Sequence, residues 1–124
     1  MKKVHVKPAF YSYCYYNLKQ IASEYGYNLV LHGSLNRDLD LVAVPWFKEI
    51  KSHDAMIRQF ADYLGGYIDE NCTKPSWHGM LYVINMNRNN IKTHSGETID
   101  LQYYLDISVI LTPHCIAAYE TGNN

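Results

Sequence analysis

Hydrophobic and polar residues alternate along the chain with two different periods, which predict helices and strands. A helix is predicted from about residue 10 to residue 25, because apolar side chains recur there at helical spacing, and Gly26 ends it. A second helix is predicted to start after Ser52, a preferred N-cap residue, and to end at Gly65-Gly66. Each helix has one apolar face, so each is expected to pack against the rest of the fold on that face.

Short apolar runs between turn residues predict the strands. The main predicted strands cover residues 27–32, 39–45, 80–86 and 104–111. The stretch 98–111 holds one or two strands, and Lys3–Lys7 alternates as a short edge strand would, with Pro8 ending it. This order of elements predicts an α+β or α/β two-layer fold, in which a mixed β-sheet has its helices packed on one face.

Composition favours one globular domain over residues 1–124. The net charge of -1 argues against strong non-specific binding to duplex nucleic acid. The three cysteines have no CxxC spacing, so mostly buried, reduced thiols are expected. No apolar run reaches membrane-spanning length and the first residues do not resemble a signal peptide, so a cytoplasmic protein without a membrane partner is expected. The twelve tyrosines suit half-buried positions, and a homodimer is a possible arrangement.

One segment places two acids directly after a tight turn. A predicted strand runs into Gly33-Ser34, and the next strand opens with Asp38-Leu39-Asp40. Because strand side chains alternate between faces, Asp38 and Asp40 are expected on one face and Leu39 in the core. Two neighbouring carboxylates repel each other unless a cation lies between them, and their oxygen atoms suit Mg²⁺ or Mn²⁺. The alternative is a plain hairpin turn with solvated acids.

The same turn carries groups that can bind phosphate. Gly33 allows a tight turn and the close approach of a ligand, and Ser34 adds a hydroxyl beside backbone amides that can hold phosphate oxygens. Arg37 is a candidate phosphate contact, although a solvent-exposed arginine is an equal alternative. Phosphate donors next to metal ligands indicate a site for a metal-bound nucleotide.

A third acid is expected to complete this site. Asp106 interrupts the apolar run Leu105–Ile110, and an acid there is costly unless it pairs with a cation or binds a metal. It could bind a second metal ion or take the proton from an acceptor hydroxyl. Asp100 is a rival with similar neighbours, but Asp106 is preferred because its strand is longer and more apolar. The structural alternative is an ion pair of Asp106 with Arg37 or Arg88.

Several other polar or aromatic residues are weaker candidates. Lys48, Lys51 and His53 could contact phosphates, although a solvated start of the second helix is the stronger interpretation. Trp77 could line the site by stacking, although a loop packed on the sheet edge is the preferred interpretation. His114 has no partners at metal-ligand spacing.

The quoted residues resemble the DNA polymerase beta-like nucleotidyltransferase superfamily. Its pattern is an apolar residue before Gly-Ser, a spacer, Asp-x-Asp on the next strand, and a later acid within an apolar strand. The similarity looks closest to small, largely uncharacterised phage and bacterial members, whose motifs occur here at residues 32–46, 78–79 and 106–109. The resemblance covers roughly residues 27 to 113 and implies a minimal nucleotidyltransferase fold.

The resemblance also implies a function. A nucleoside monophosphate would pass from a nucleoside triphosphate to a hydroxyl of an acceptor, which would be a protein, an RNA or a small molecule. Asp38, Asp40 and Asp106 would be the catalytic, metal-binding residues, while Gly33, Ser34 and Arg37 would contact the phosphates.

Two features depart from the family pattern. Only three residues separate the serine from the first acid, and no additional helical domain is visible to hold a base or an acceptor. The second interpretation is therefore a nucleotide-binding or partner-binding module without turnover, such as a sensor, an antitoxin-like protein or a phage counter-defence protein.

Overall fold

The structure, a computed structural model, describes residues 3–4, 7–33, 35, 38–76, 78–87, 91–92, 94–96, 98–99 and 102–111. Within these ranges the helices are α1, Lys7–Glu24, and α2, His53–Leu64. The strands there are β1 Lys3–Val4, β2 Tyr27–His32, β3 Asp38–Pro45, β4 Tyr67–Ile68, β5 Lys74–Ser76, β6 Gly79–Asn87, β7 Ile91–Lys92, β8 Thr98–Ile99 and β9 Gln102–Ile110. Neither described helix is long and apolar enough to cross a membrane.

Helix α2 begins and ends at residues that satisfy its terminal backbone groups. The Ser52 side chain accepts a hydrogen bond from the Ala55 N–H at 3.2 Å, which pairs one free amide of the first turn. Gly65 follows the helix with a φ of 66°, a left-handed conformation that favours glycine. The Gly66 N–H then donates to the Ala61 carbonyl at 2.9 Å. The predicted start and stop of this helix are therefore confirmed.

The beginning of α1 differs from the prediction. Strand β1 is only two residues long, and the helix already begins at Lys7, so Pro8 lies in its first turn instead of ending a strand. Proline suits that position because first-turn N–H groups have no partner within the helix and its fixed φ is close to the helical value.

The main sheet has six strands, which run in the order β2-β3-β9-β6-β4, with β5 also paired to β6. The central pair β3–β9 is parallel, while the other pairs of this sheet are antiparallel. The predicted α+β class with a mixed sheet is confirmed. Parallel pairing of β3 and β9 places Asp40 beside Asp106 in register.

Both helices pack on one face of this sheet, as predicted. The core consists mainly of apolar side chains from the two helices and from alternate strand residues: Tyr11, Cys14, Leu18, Ala22, Leu29, Leu39, Leu41, Ala43, Met56, Ile57, Phe60, Ala61, Leu64, Ile84, Leu105, Ile107 and Val109. Because strand side chains alternate, the residues between these point to the other side of the sheet. We call that side the carboxylate face, since it carries Asp38, Asp40 and Asp106.

Short strands are the elements that sequence patterns missed. Residues 67–78, predicted as mixed and turn-rich, hold β4 and β5, and the polar connector after β6 holds β7. Strand β7 forms a small sheet with β8 and β1. Strands of two or three residues show no periodic pattern, so tertiary pairing decides them.

The described cysteines differ in exposure. Cys14 is buried, and burial raises the pKa of its thiol. Cys72 is exposed, so of the two described cysteines only Cys14 has the buried position that was expected of most of the thiols. Its thiol donates to the Asp69 carboxylate at 3.5 Å, a contact that raises the thiol pKa.

Candidate metal centre

Strand β3 presents two acids on the carboxylate face. Asp38 and Asp40 are half-buried, whereas Leu39 and Leu41 on the opposite side are fully buried in the core. This is the alternation that the sequence pattern predicted. The burial of the leucines fixes which face the acids occupy, because a one-residue slip would exchange the two sets.

Strand β9 brings the third acid to the same place. Asp106 lies between the fully buried Leu105 and Ile107, and its register partner on the parallel strand is Asp40. One carboxylate oxygen from each of Asp38, Asp40 and Asp106 can be chosen so that all three lie within 4.8 Å of one another. The structure therefore brings together the three acids that the sequence analysis selected.

Burial and mutual repulsion change the acidity of this cluster. The pKa of Asp106 is raised from 3.8 to about 6, first because burial disfavours its charged form and then because Asp38 and Asp40 are negatively charged neighbours. A cation among the three carboxylates would remove this penalty. The donor set consists of half-buried carboxylate oxygens, which fits a hard divalent ion such as Mg²⁺ or Mn²⁺.

Gly33 lies directly against this cluster. Its φ is 84°, and a Cβ atom built on it would lie 2.5 Å from Asp40 Oδ2. A side chain at this position would therefore collide with the carboxylate in addition to straining the backbone. The next described residue of the turn, Leu35, also has a positive φ of 64°, and its side chain packs against the core. The backbone of the β2–β3 turn thus approaches the acids closely.

Some predicted site residues lie outside the described residues. These are the phosphate candidates Ser34 and Arg37, the rival acid Asp100, and the weaker candidates Trp77 and His114. The proposed ion-pair partners of Asp106, Arg37 and Arg88, are also outside them.

His53 does not belong to the carboxylate face. Lys48 and Lys51 are exposed, but His53 is 3% exposed, so the predicted solvated helix start is wrong for the histidine. Its Nδ1 lies 2.8 Å from the Tyr82 hydroxyl, which in turn donates to Asp54 at 3.0 Å. Because the Tyr82 hydrogen goes to a carboxylate, the Tyr82 oxygen accepts from His53 Nδ1–H. Burial lowers the pKa of His53.

Sequence reasoning missed this buried network and the cavity beside it. The cavity of about 130 Å³ is lined by Asp54, Arg58, Ile68, Glu70, Thr73 and Tyr82. Tyr82 and Asp106 point to opposite sides of the sheet, so this cavity is separate from the carboxylate cluster. Tyr82 occurs within an apolar run, and its position under α2 depends on tertiary pairing, so no local signal identified it.

Comparison with known proteins shows a likeness to a solved structure. No protein-family model matches this chain, and no curated protein sequence does either. Among solved structures, the chain is similar to the Cid1 poly(U) polymerase with MgGTP bound, with a TM-score of 0.43 and 21% sequence identity. The alignment covers 82% of this chain and 31% of the polymerase, so this chain spans about a third of that protein's length.

Proposed function

We propose that this protein is a metal-dependent nucleotidyltransferase of the DNA polymerase beta type. It transfers a nucleoside monophosphate from a nucleoside triphosphate to an acceptor hydroxyl. The observation that carries the proposal is the meeting of Asp38, Asp40 and Asp106, whose ligand oxygens lie within 4.8 Å of one another next to the glycine turn. Along the sequence, Gly33-Ser34 comes first, Asp38-Leu39-Asp40 next and Asp106 last, which is the order of the family pattern.

The three acids form a suitable site for divalent cations. They present oxygen atoms only, and the raised pKa of Asp106 reflects its burial and the negative charges of Asp38 and Asp40. When bound, Mg²⁺ or Mn²⁺ would offset the triphosphate charge and lower the pKa of the attacking hydroxyl.

The β2–β3 turn is the proposed phosphate site. The Gly33 backbone lies against Asp40, so a phosphate held by amides of this turn would be next to the carboxylates. Ser34 and Arg37, which follow in the sequence, are proposed to add a hydroxyl and a guanidinium to the same phosphates. The turn therefore orients the triphosphate relative to the acids.

Asp106 is suited to take the proton in the transfer step. The acceptor hydroxyl oxygen forms a bond to the α-phosphorus, the bond from that phosphorus to the bridging oxygen breaks, and pyrophosphate leaves. The hydroxyl proton passes to the Asp106 carboxylate, which lies beside Asp38 and Asp40 and acts as the general base. Because Asp106 is also one of the three proposed cation ligands, we expect Asp106→Asn to lose both turnover and metal binding.

The direct test is the double variant Asp38→Asn, Asp40→Asn. It keeps the side-chain shapes and removes two metal ligands, so we expect no transfer of radiolabel from [α-³²P]NTP with Mg²⁺ or Mn²⁺. The matched control is Asp62→Asn, which alters an exposed acid on α2 away from the carboxylate face. Turnover in the double variant equal to the wild type, with both proteins folded by circular dichroism, would refute the proposal.

Calorimetry separates the enzyme from a module without turnover. We expect nucleoside triphosphates with Mg²⁺ to bind the wild type and not the double variant. Binding without label transfer to any protein, RNA or small-molecule acceptor would favour a nucleotide sensor. No binding, together with a stable protein partner in pull-downs, would favour an interaction module.

A further inference from the structure

The first turns of α1 contact the beginning of β9 through aromatic side chains. Phe10 stacks on Tyr103 with ring centroids 4.5 Å apart, and Tyr11 meets the same ring edge-on at 5.7 Å. The Tyr11 hydroxyl oxygen also accepts a hydrogen bond from the Tyr104 N–H at 3.2 Å. Tyr11 is fully buried, so water does not compete for this bond. Helix α1 thus contacts β9 through aromatic rings and through the hydrogen bond between the Tyr11 hydroxyl and the Tyr104 N–H.

Tyr104 is the point at which the two acid-bearing strands meet. The first register pair between β3 and β9 is Asp38 with Tyr104, and the pair Asp40 with Asp106 follows two residues later. A slip of one residue in this pairing would turn Asp106 toward the helices. A bond that fixes the backbone of Tyr104 therefore acts next to the carboxylate cluster, at the end of the ladder where strand pairing starts.

We infer that Tyr11 is a positioning residue for the metal centre. Its hydroxyl oxygen holds β9 at Tyr104 and so keeps Asp106 beside Asp38 and Asp40. This inference rests on the proposed function, because it presumes that the acids bind a divalent cation. Mg²⁺ requires ligand oxygens at about 2.1 Å, so a small displacement of one strand would move a carboxylate too far from the ion to bind it. Groups outside the ligand set that orient ligands typically change metal affinity by about tenfold or more.

The test compares two tyrosine-to-phenylalanine variants in the same helix. Tyr11→Phe keeps the ring and removes the hydroxyl oxygen that accepts from the Tyr104 N–H. Tyr15→Phe is the matched control, because it removes a hydroxyl that donates to the Leu29 carbonyl at 2.7 Å on β2, which carries none of the three acids. Mn²⁺ affinity is measured by electron paramagnetic resonance on fully folded protein. We expect about tenfold weaker binding for Tyr11→Phe and unchanged binding for Tyr15→Phe.

Three results of this comparison would count against the positioning role. Equal Mn²⁺ affinities of the wild type and Tyr11→Phe would overturn the inference and leave the proposed function intact. Equally weakened binding in both variants would show that loss of either hydroxyl has the same effect, and would also overturn it. No Mn²⁺ binding by the wild type would overturn the proposed function, and the positioning role with it.

Hydrogen exchange of the wild type gives a second test that needs no variant. Coupling between the metal centre and the Tyr104 hydrogen bond is reciprocal, so bound Mg²⁺ must strengthen that bond. We expect saturating Mg²⁺ to slow exchange of the Tyr104 amide several-fold. Identical exchange rates with and without Mg²⁺, in protein that binds the ion, would contradict the inference.

Discussion

Replacing Asp106 by asparagine should stabilise the metal-free protein while abolishing its response to metal. In the folded state the pKa of Asp106 is raised from 3.8 to about 6, so the folded protein binds this proton more tightly than the unfolded chain. Ionised Asp106 therefore destabilises the metal-free fold above pH 6. That cost decreases as the pH falls from about 6 to 3.8, and it is absent below 3.8, where both states are protonated.

The size of the effect follows from the pKa difference and from the exposure of the side chain. A pKa rise of this size corresponds to about 3 kcal/mol for a fully buried group. Asp106 is only half-buried, so solvent screening reduces the expected gain at pH 7 to on the order of 1 kcal/mol. For a domain of 124 residues this gain raises the melting temperature by about 4 °C. Bound Mg²⁺ at about a hundred times its dissociation constant should stabilise the wild type alone by about 2.7 kcal/mol.

Thermal unfolding of the wild type and Asp106→Asn checks both the stabilisation without metal and the loss of the response to metal. Asp62→Asn is the control for the loss of an exposed acid. At pH 7 without metal, the Asp106 variant should melt at the higher temperature, and the difference should vanish near pH 4. With Mg²⁺, the order should reverse. A metal-free Asp106 variant that is less stable than the wild type at pH 7 would refute the reasoning, because the carboxylate would then stabilise the fold.

Two further predictions concern the turn and the buried histidine. Gly33→Ala should weaken metal-induced stabilisation, because the new Cβ lies 2.5 Å from Asp40 Oδ2 and displaces this carboxylate. Gly96→Ala, with the same φ of 84° but nothing within 4 Å, should only add backbone strain, and equal metal responses of the two variants in melting experiments would contradict this. His53 has a lowered pKa, so its contribution to stability is present above its ordinary value of 6.5 and decreases as the pH falls below it. Urea unfolding of Asp106→Asn, in which Asp106 no longer titrates, should show the free energy of unfolding decrease from pH 7 to pH 5. Adding His53→Gln should make this decrease with pH smaller, and an equal decrease in both proteins would exclude His53 as its cause.

Local patterns were sufficient to predict the position of the acids on β3. A period of two places Asp38 and Asp40 on one face, and the buried Leu39 and Leu41 identify the other face as the core. The caps of α2 were predictable for the same reason, because an N-cap serine and a glycine stop act within a few residues.

Non-local pairing accounts for what the sequence left open. Asp100 and Asp106 have similar neighbours, and only the parallel register of β9 with β3 brings Asp106 opposite Asp40. His53 on helix α2 is hydrogen-bonded to Tyr82, which is 29 residues away on strand β6. Such contacts depend on which strands become neighbours, and no short sequence window contains that information.

Separation of the two faces of the sheet makes this scaffold suitable for directed evolution. Val42, Ser108 and Leu81 form one row across β3, β9 and β6 on the carboxylate face, next to the row that contains Asp40 and Asp106. All three are half-buried, whereas their sequence neighbours fill the core below. A combinatorial library at these three positions would vary the surface beside the acids without changing the residues that hold the helices to the sheet.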